Sequence, residues 1–481
     1  MRTFFNVHQI RDAEAVLFGE VPVGVPMQRA AYGLARVVAA ELTARTGGVA
    51  GRTVGLLVGS GDNGGDVLWA GAMLRRRGVA VSALLFAPER AHAAGLAALR
   101  RVGGRVVDEL PTGIDLAIDG IVGISGHGSL RPEAARVVAA IKAPVIAADL
   151  PSGVEPDTGA ISGPAVRAAV TVTFGGLKPV HALAPEHCGR VELIPIGLRL
   201  PDPYLRELEA DEAGRAWPIP GAFDDKYSGG VVGVRAGSAK YPGAALLAAG
   251  AAVAATSPMV RYCGPAAETV VSHIPEVIAT TDIDSTGKVQ AWVVGPGMGT
   301  DEYALEELRR VLAQPVPVLV DADGITLLAA HKELLDGRDA PTLVTPHAGE
   351  FARLSGTELG PDRVAATRLL ADTLGVTVLL KGRATVITAP GGPVWVNDAG
   401  SSWAATAGSG DVLSGVIGAL LASGIEPDLA AAMGCRAHSV AARLAATNGD
   451  LDVGAPISAA ELLWHLRPAI RALRRGPEEI A

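Results

Sequence analysis

Two unlike α/β domains are what this sequence predicts, and three observations carry that prediction. Short β-branched runs alternate with amphipathic stretches twice along the 481 residues, glycines gather where those runs end, and a proline- and acid-rich segment separates the two series. Alternation of strand and helix implies parallel strands joined by right-handed helical crossovers. In such sheets ligands bind beyond the carboxyl ends of the strands.

The first series follows an Ala-rich helical start that ends near Arg45. TVGLLVG (53–59) reads as a strand, GSGDNGGD as a glycine turn, and VLWAGAMLRRRG as a helix closed by Gly78. VAVSALLF followed by PERAHAAGLAALRRVGG repeats the unit, and IDLAIDGIVG, PEAARVVAAIKA, APVIAADLPSG, AVTVTFGG and GRVELIPIG carry it to residue 198. Residues 199–225 break the pattern with four prolines and a cluster of acids, and are expected to be a linker. The second series, 226–481, runs through GVVGVRAGS, the helix candidate 242–258, MVRYCG, AWVVGPGMG, PVPVLVDADGITLLAA, PTLVTPHAGEFARL, GVTVLLKGRATVITAP and PVWVND to a helical region opening with ATAGSGDVLSG. The glycine motifs of the two series differ, so no internal repeat is expected.

Composition excludes several classes. With 42 Lys+Arg against 50 Asp+Glu, a formal charge of −8 argues against binding a nucleic-acid backbone, whose affinity rests on clustered basic residues. Three scattered cysteines offer neither a disulfide framework nor paired metal-ligand spacing. Arg11, Asp12 and Glu14 interrupt any signal-peptide core, and the apolar stretch 242–258 is shorter than the ~20 residues of a membrane span. A cytoplasmic protein without membrane attachment is expected. Glycine, 60 of 481 residues, is the unusual number, since average usage is ~7%.

GSGDNGGDV (59–67) lies where a strand feeds a helix, a position whose free amides and dipole favour phosphate. It departs from the GxGxxG spacing of hydride-transfer sites. Asp119 and Asp149 end strand-like runs and, with Asp62, Asn63, Asp66 and Ser152, can converge on one crevice; crowded carboxylates there call for a cation or proton among them. Alternatively, Asp119 and Asp149 merely cap turns. In the second series, Gly408 and Gly410 of AGSGD let the backbone approach an anion at a helix start, and Asp411 stands where a general base could take a proton from a hydroxyl. Asp411 could instead be only a dipole partner.

GSGDNGGD, DGIVGISGHGS and AADLPSG, in this order over about residues 1–200, resemble the YjeF N-terminal domain family, the NAD(P)H-hydrate epimerases. The family's usual turn is NNGGDG; here Asp62 replaces the first Asn and Val67 the final Gly. The resemblance implies a Rossmann-like three-layer sandwich in which Asp62, Asn63, Gly64, Gly65 and Asp66, with Gly123, Ile124, Ser125, Gly126, His127, Gly128 and Ser129, hold the hydrated dinucleotide. It further implies that Asn63, Asp119 and Ser152 ligate potassium and that Asp149 contacts the reacting hydrate; since inversion of a hemiaminal needs only one positioned carboxyl as acid and then base, that role is assigned to Asp149. GPGMG, DADG, TPHAGE, LKG and AGSGD resemble the YjeF C-terminal family of ADP- or ATP-dependent NAD(P)H-hydrate dehydratases, which implies a ribokinase-like α/β domain. By that resemblance Lys381, Gly382, Arg383, Ala384, Thr385 and Gly410 contact the adenine nucleotide; Ala245, Gly299, His347 and Asp411 contact the hydrate, His347 being alternatively a satisfied turn histidine. Magnesium would bridge the nucleotide phosphates.

The expected function is therefore bifunctional repair of the NADH and NADPH hydrates, NADHX and NADPHX. One half would epimerise them, and the other would phosphorylate the hydrate hydroxyl and eliminate phosphate. A homo-oligomer is expected. The alternative is a ribokinase-like vitamin or sugar kinase fused to a non-catalytic nucleotide-binding or interaction module.

Overall fold

A computed structural model describes residues 1–256, 259–448 and 453–475, and the chain divides into two compact units, Thr3–Leu205 and Arg206–Ala481 with Met1–Arg2. In the first unit seven strands lie in the order Arg105–Val107, Ala80–Leu85, Thr53–Val58, Leu116–Gly120, Val145–Ala148, Val170–Phe174, Arg190–Ile194, every neighbour parallel. Strand order reverses between Thr53–Val58 and Leu116–Gly120, and there a crevice opens beyond the carboxyl ends. The central strands are buried on both faces, so they read as unbroken apolar runs. Helices Val25–Thr46, Asp62–Arg76 and Ala93–Arg101 contribute to the core on one face, and Pro132–Ala140 to a smaller one with Ala117 and Val145. The helix expected after the glycine turn begins inside it: Gly61 is the N-cap and DNGGD the first turn.

The second unit carries a sheet in which Thr377–Leu380, Thr342–Val344, Val318–Val320, Ala291–Val294, Val231–Arg235, Met259–Cys263 and Ile278–Thr280 run parallel in that order. Ala384–Thr388 is antiparallel to both its neighbours, Thr377–Leu380 and Val394–Asp398. Strand residues alternate between two cores: Val232, Val234 and Val293 face one, and Val231, Trp292 and Val294 the other. The apolar stretch 242–258 forms helix Pro242–Ala255; Ser257 and Pro258 lie outside the described residues. Its alanines explain part of the Ala/Gly surplus. Helix Ser409–Ala422 packs so closely upon it that a side chain on Gly415 would fall 2.2 Å from the Ala248 carbonyl oxygen.

The expected linker 199–225 is in part structured and requires correction. Leu205–Glu207 is a strand in register with Val394–Asp398, and Ala210–Ala216 is a helix capped reciprocally by Glu209 and Glu212. Its prolines flank these elements, whereas Glu207, Glu209, Asp211 and Glu212 lie in or cap them, and Leu208, Ala213 and Trp217 join the second unit's core, where Trp217 Nε1 donates to the Ala255 carbonyl at 2.9 Å. Among the described residues no helix is long and apolar enough to cross a membrane, and all three cysteines are free and buried.

Candidate functional sites

A cavity of 1710 Å³ occupies the crevice of the first unit. Asp62, Asn63 and Asp66 line it together with Asp149 and the whole loop from Gly123 to Ser129. Gly64 and Gly65 do not; they are buried in the first helical turn, where a side chain on Gly64 would lie 2.5 Å from the Gly59 carbonyl oxygen and one on Gly65 would lie 2.9 Å from the His92 ring. Gly120 admits the Val67 side chain in the same way, a Cβ there falling 2.4 Å from Val67 Cγ2.

Asp119 and Ser152 are fully buried. Ser152 donates to Asp119 through its Oγ at 2.7 Å and its amide at 2.9 Å, and the Ile121 amide donates at 3.1 Å. Burial nevertheless pushes the Asp119 carboxyl up to about 6. Asn63 Nδ2 donates to the Val122 carbonyl at 3.1 Å, while Asn63 Oδ1 is buried without a partner. An orphaned amide oxygen beside a buried carboxylate is a hard-oxygen environment that a monovalent cation would satisfy.

Asp149 adopts a positive φ of 67°, rare for a residue with a side chain. Four contacts hold it there. Its carboxylate pairs with Lys178 and accepts from Thr173 Oγ1 at 3.0 Å and the Phe174 amide at 3.3 Å, and its carbonyl faces His181 Nε2 at 3.0 Å. Because the Lys178 amide donates to His181 Nδ1 at 2.9 Å, the ring proton sits on Nε2 and donates to Asp149. Asp66 is held well above the usual carboxylate range by burial and then by the charges of Asp149, Asp62 and Glu14, which favours its protonated form.

In the second unit Gly408, with φ 87°, caps helix Ser409–Ala422. Asp411 lies in its first turn, its carboxyl pushed up to about 7 by burial and the charge of Asp321, against the lowering effect of Lys381. Lys381 Nζ lies 2.8 Å from Asp321 Oδ1 and 3.6 Å from Glu350 Oε2; the other oxygen of Asp321 accepts from Ser414 Oγ at 2.8 Å. A side chain on Gly410 would come within 3.7 Å of that ammonium. The Gly299 amide donates to Asp323 Oδ2 at 2.9 Å, leaving open space above the glycine. His347 caps helix Ala348–Ser355, its Nδ1 accepting from the Gly349 and Glu350 amides at 3.0 and 3.3 Å. Arg383 pairs with Asp398, Thr385 Oγ1 donates to the Gly382 carbonyl, and Ala384 is buried in its strand. Ala245 is fully buried in helix Pro242–Ala255 beneath the Gly237 loop, where a side chain on Gly237 would fall 2.8 Å from its Cβ.

A family model of NAD(P)H-hydrate dehydratases matches residues 232–461, and one of YjeF-related protein N-termini matches residues 24–180. A bifunctional NAD(P)H-hydrate repair enzyme of Mycobacterium leprae is 58% identical over 477 residues, covering 98% of this chain and 100% of its own. The chain belongs to the bifunctional NAD(P)H-hydrate repair enzyme family. The relative from Mycobacterium tuberculosis (strain ATCC 25618 / H37Rv) is likewise 58% identical, over 476 residues and 98% of this chain. A ribokinase-like superfamily protein of Enterococcus faecalis V583 superposes on 58% of the chain and 99% of its own length with a TM-score of 0.50 at 22% identity, which identifies the fold.

Both constellations of this repair-enzyme chain include residues that sequence reasoning did not single out. Lys178 and His181 follow the strand Val170–Phe174 in FGGLKPVH, and a lysine there with only 1% exposure is the retrievable signal. Glu14 reaches the cavity from the Ala-rich first helix, where nothing in the pattern marks it. Asp321, Ser414 and Glu350 lie inside motifs already noted, yet only the fold brings them to Lys381.

Proposed function

We infer that this enzyme repairs hydrated nicotinamide nucleotides in two reactions, epimerisation of R and S NAD(P)H hydrates and ADP- or ATP-dependent dehydration of the S form. The observation that carries the reading is Asp411, poised near neutrality in the first turn of a glycine-opened helix beside the Lys381–Asp321 pair. A base matched to the working pH is what proton abstraction from an alcohol requires.

In the dehydratase reaction Asp411 takes the proton of the ring hydroxyl as its oxygen attacks the terminal phosphoryl group, whose bond to the bridging oxygen breaks and releases ADP from ATP or AMP from ADP. The C–O bond then breaks as the ring nitrogen donates its lone pair, phosphate leaves, and loss of a proton from the neighbouring ring carbon restores the dihydronicotinamide. The amides around Gly410 face the transferred phosphoryl group. Magnesium would arrive with the nucleotide and be held chiefly by its phosphates, because the carboxylates of Asp321 and Glu350 are engaged by Lys381.

In the epimerase reaction the hydrate carries a hemiaminal hydroxyl, so inversion needs only assisted cleavage and re-addition. Asp149 lies in the cavity paired with Lys178, and Asp66 lines the same cavity with its carboxyl raised by burial and the neighbouring acids. Two carboxyl groups in such different environments are suited to divide the roles of base and acid. Asn63, Asp119 and Ser152 would hold potassium, whose charge offsets the crevice acids and orients the dinucleotide.

The test is to incubate each hydrate epimer with ADP and then with ATP, following both by NMR or chromatography. S hydrate should be converted to the dihydronicotinamide only with nucleotide, and R hydrate should be consumed through S. Consumption of neither epimer with either nucleotide would refute the reading. A stable phosphorylated alcohol formed from a vitamin or sugar would favour the kinase alternative.

A further inference from the structure

We propose that Arg90 recognises the adenosine 2′-phosphate of NADPHX, so that the N-terminal cavity distinguishes the phosphorylated hydrate from NADHX; this rests on the epimerase reading above. The argument begins with the sheet. Ala80–Leu85 lies beside Thr53–Val58, on the side away from the strand that leads to Asp149. When a dinucleotide's diphosphate sits over the first strand-to-helix turn, the adenosine ribose meets the carboxyl end of this neighbouring strand. A carboxylate there accepts from the two ribose hydroxyls and repels a 2′-phosphate, whereas an arginine takes the phosphate.

Here the strand runs out through Leu85, Phe86 and Ala87, with no carboxylate. The turn that follows, Pro88–Arg90, brings Arg90 to the cavity wall, while Glu89, exposed, is not part of that wall. Among the described residues no carboxylate pairs with Arg90. Two other arginines of the wall are committed: Arg11 donates to Ser125 Oγ at 3.0 Å and Arg29 to the Ile196 carbonyl at 2.7 Å. The cavity is thus polarised. Asp62, Asp66 and Asp149 gather toward the switch point and beyond it, where the wall's fourth arginine, Arg131, follows the Gly123–Ser129 loop, and Arg90 is the cation that stands at the opposite side. A hydrate seated with its nicotinamide at Asp149 directs its adenosine toward Arg90.

The experiment measures epimer exchange of NADPHX and NADHX separately for the wild-type chain and for Arg90→Ala, Arg90→Lys and Arg131→Ala. Arg90→Ala should lower kcat/KM for NADPHX by ~10–100-fold, mostly through KM, and that for NADHX by no more than ~3-fold, the range expected for one lost charge-assisted contact. Arg90→Lys should recover part of the loss. Adenosine 2′,5′-bisphosphate should inhibit wild-type exchange more strongly than AMP, and that advantage should vanish in Arg90→Ala. Equal losses for both hydrates, no loss for either, or a ratio moved by Arg131→Ala alone would overturn the proposal. Retained exchange of NADHX by the variants keeps the epimerase reading standing whichever way the ratio falls; a wild-type chain that exchanges neither hydrate sinks both.

Discussion

Each unit sets an aspartate against a lysine at the carboxyl edge of its parallel strands, Lys178 buried and Lys381 half-buried, but the pairs are wired differently. In the first unit Lys178 pairs with Asp149, the carboxylate proposed to act on the hydrate. In the second, Lys381 pairs with Asp321, a neighbour of the proposed base, and the charge of Asp321 helps to hold Asp411 up to about 7. Direct pairing fixes a carboxylate in position beside a cation. Pairing the neighbour leaves the working carboxylate free to exchange a proton near neutrality. The difference follows the chemistry: reversible inversion calls for a positioned carboxylate and a separate proton donor, a role that the burial-raised Asp66 suits, and phosphoryl transfer calls for a base that accepts one proton per turnover.

The largest test of this contrast is a double dissociation. Asp411→Asn should reduce nucleotide-dependent recovery of dihydronicotinamide absorbance by at least ~10³-fold while leaving epimer exchange intact, and Asp149→Asn should do the reverse; the magnitude is at the level of losing an essential acid–base group. If either variant lost both activities, the two centres would not be independent. Next in size is Lys178→Met, which removes the counter-charge of Asp149 and the bonds to Thr173 Oγ1 at 2.9 Å and the Phe174 carbonyl at 3.0 Å. Epimer exchange should fall by ~10²-fold, with dehydration of pure S hydrate unchanged, and thermal unfolding should report a loss of several degrees because breaking a buried pair costs about 3–5 kcal/mol. Unaltered exchange in a folded variant would reduce Lys178 to packing.

Much of this was legible in the residues. Strand runs such as TVGLLVG and LAIDG are apolar because both faces of a parallel sheet are covered, so burial and pattern agree, and the glycine motifs fall at strand ends. The stretch between the units reads as bare linker because prolines and acids dominate 199–225 by number, whereas the few apolar residues Leu208, Ala213 and Trp217 decide that part of it packs into the second unit's core. The sites divide in the same way. Asp149 and Asp411 are marked by local motifs, but the partner of Asp149 is 29 residues away and that of Lys381 is 60 residues away, and no periodicity encodes a pairing made through the sheet. Ala245 shows a related ambiguity: in an Ala-rich helix, a residue that packs and a residue that binds look alike in sequence.

The smallest expected effect is also the sharpest probe of the wiring, because it asks for a shift in pH dependence. Asp411 must be ionised to accept a proton, so dehydratase kcat/KM should rise with pH and level off above about 7, the value at which burial and Asp321 hold its carboxyl. Epimer exchange should show the opposite trend at the alkaline end, since Asp66 donates only while protonated. Asp321→Asn removes a negative neighbour and leaves the charge of Lys381 less compensated. Both changes favour the Asp411 anion, so the acid limb of the dehydratase should move to lower pH, by ~1 unit, and relative activity at pH 6 should increase even if the plateau falls. The alkaline trend of epimer exchange should stay where it was. An unmoved limb would mean that burial alone sets Asp411 and that the Lys381–Asp321 pair serves to hold the Gly410 turn, while a limb displaced upward would mean that Lys381 had turned away from Asp411 once its partner was gone.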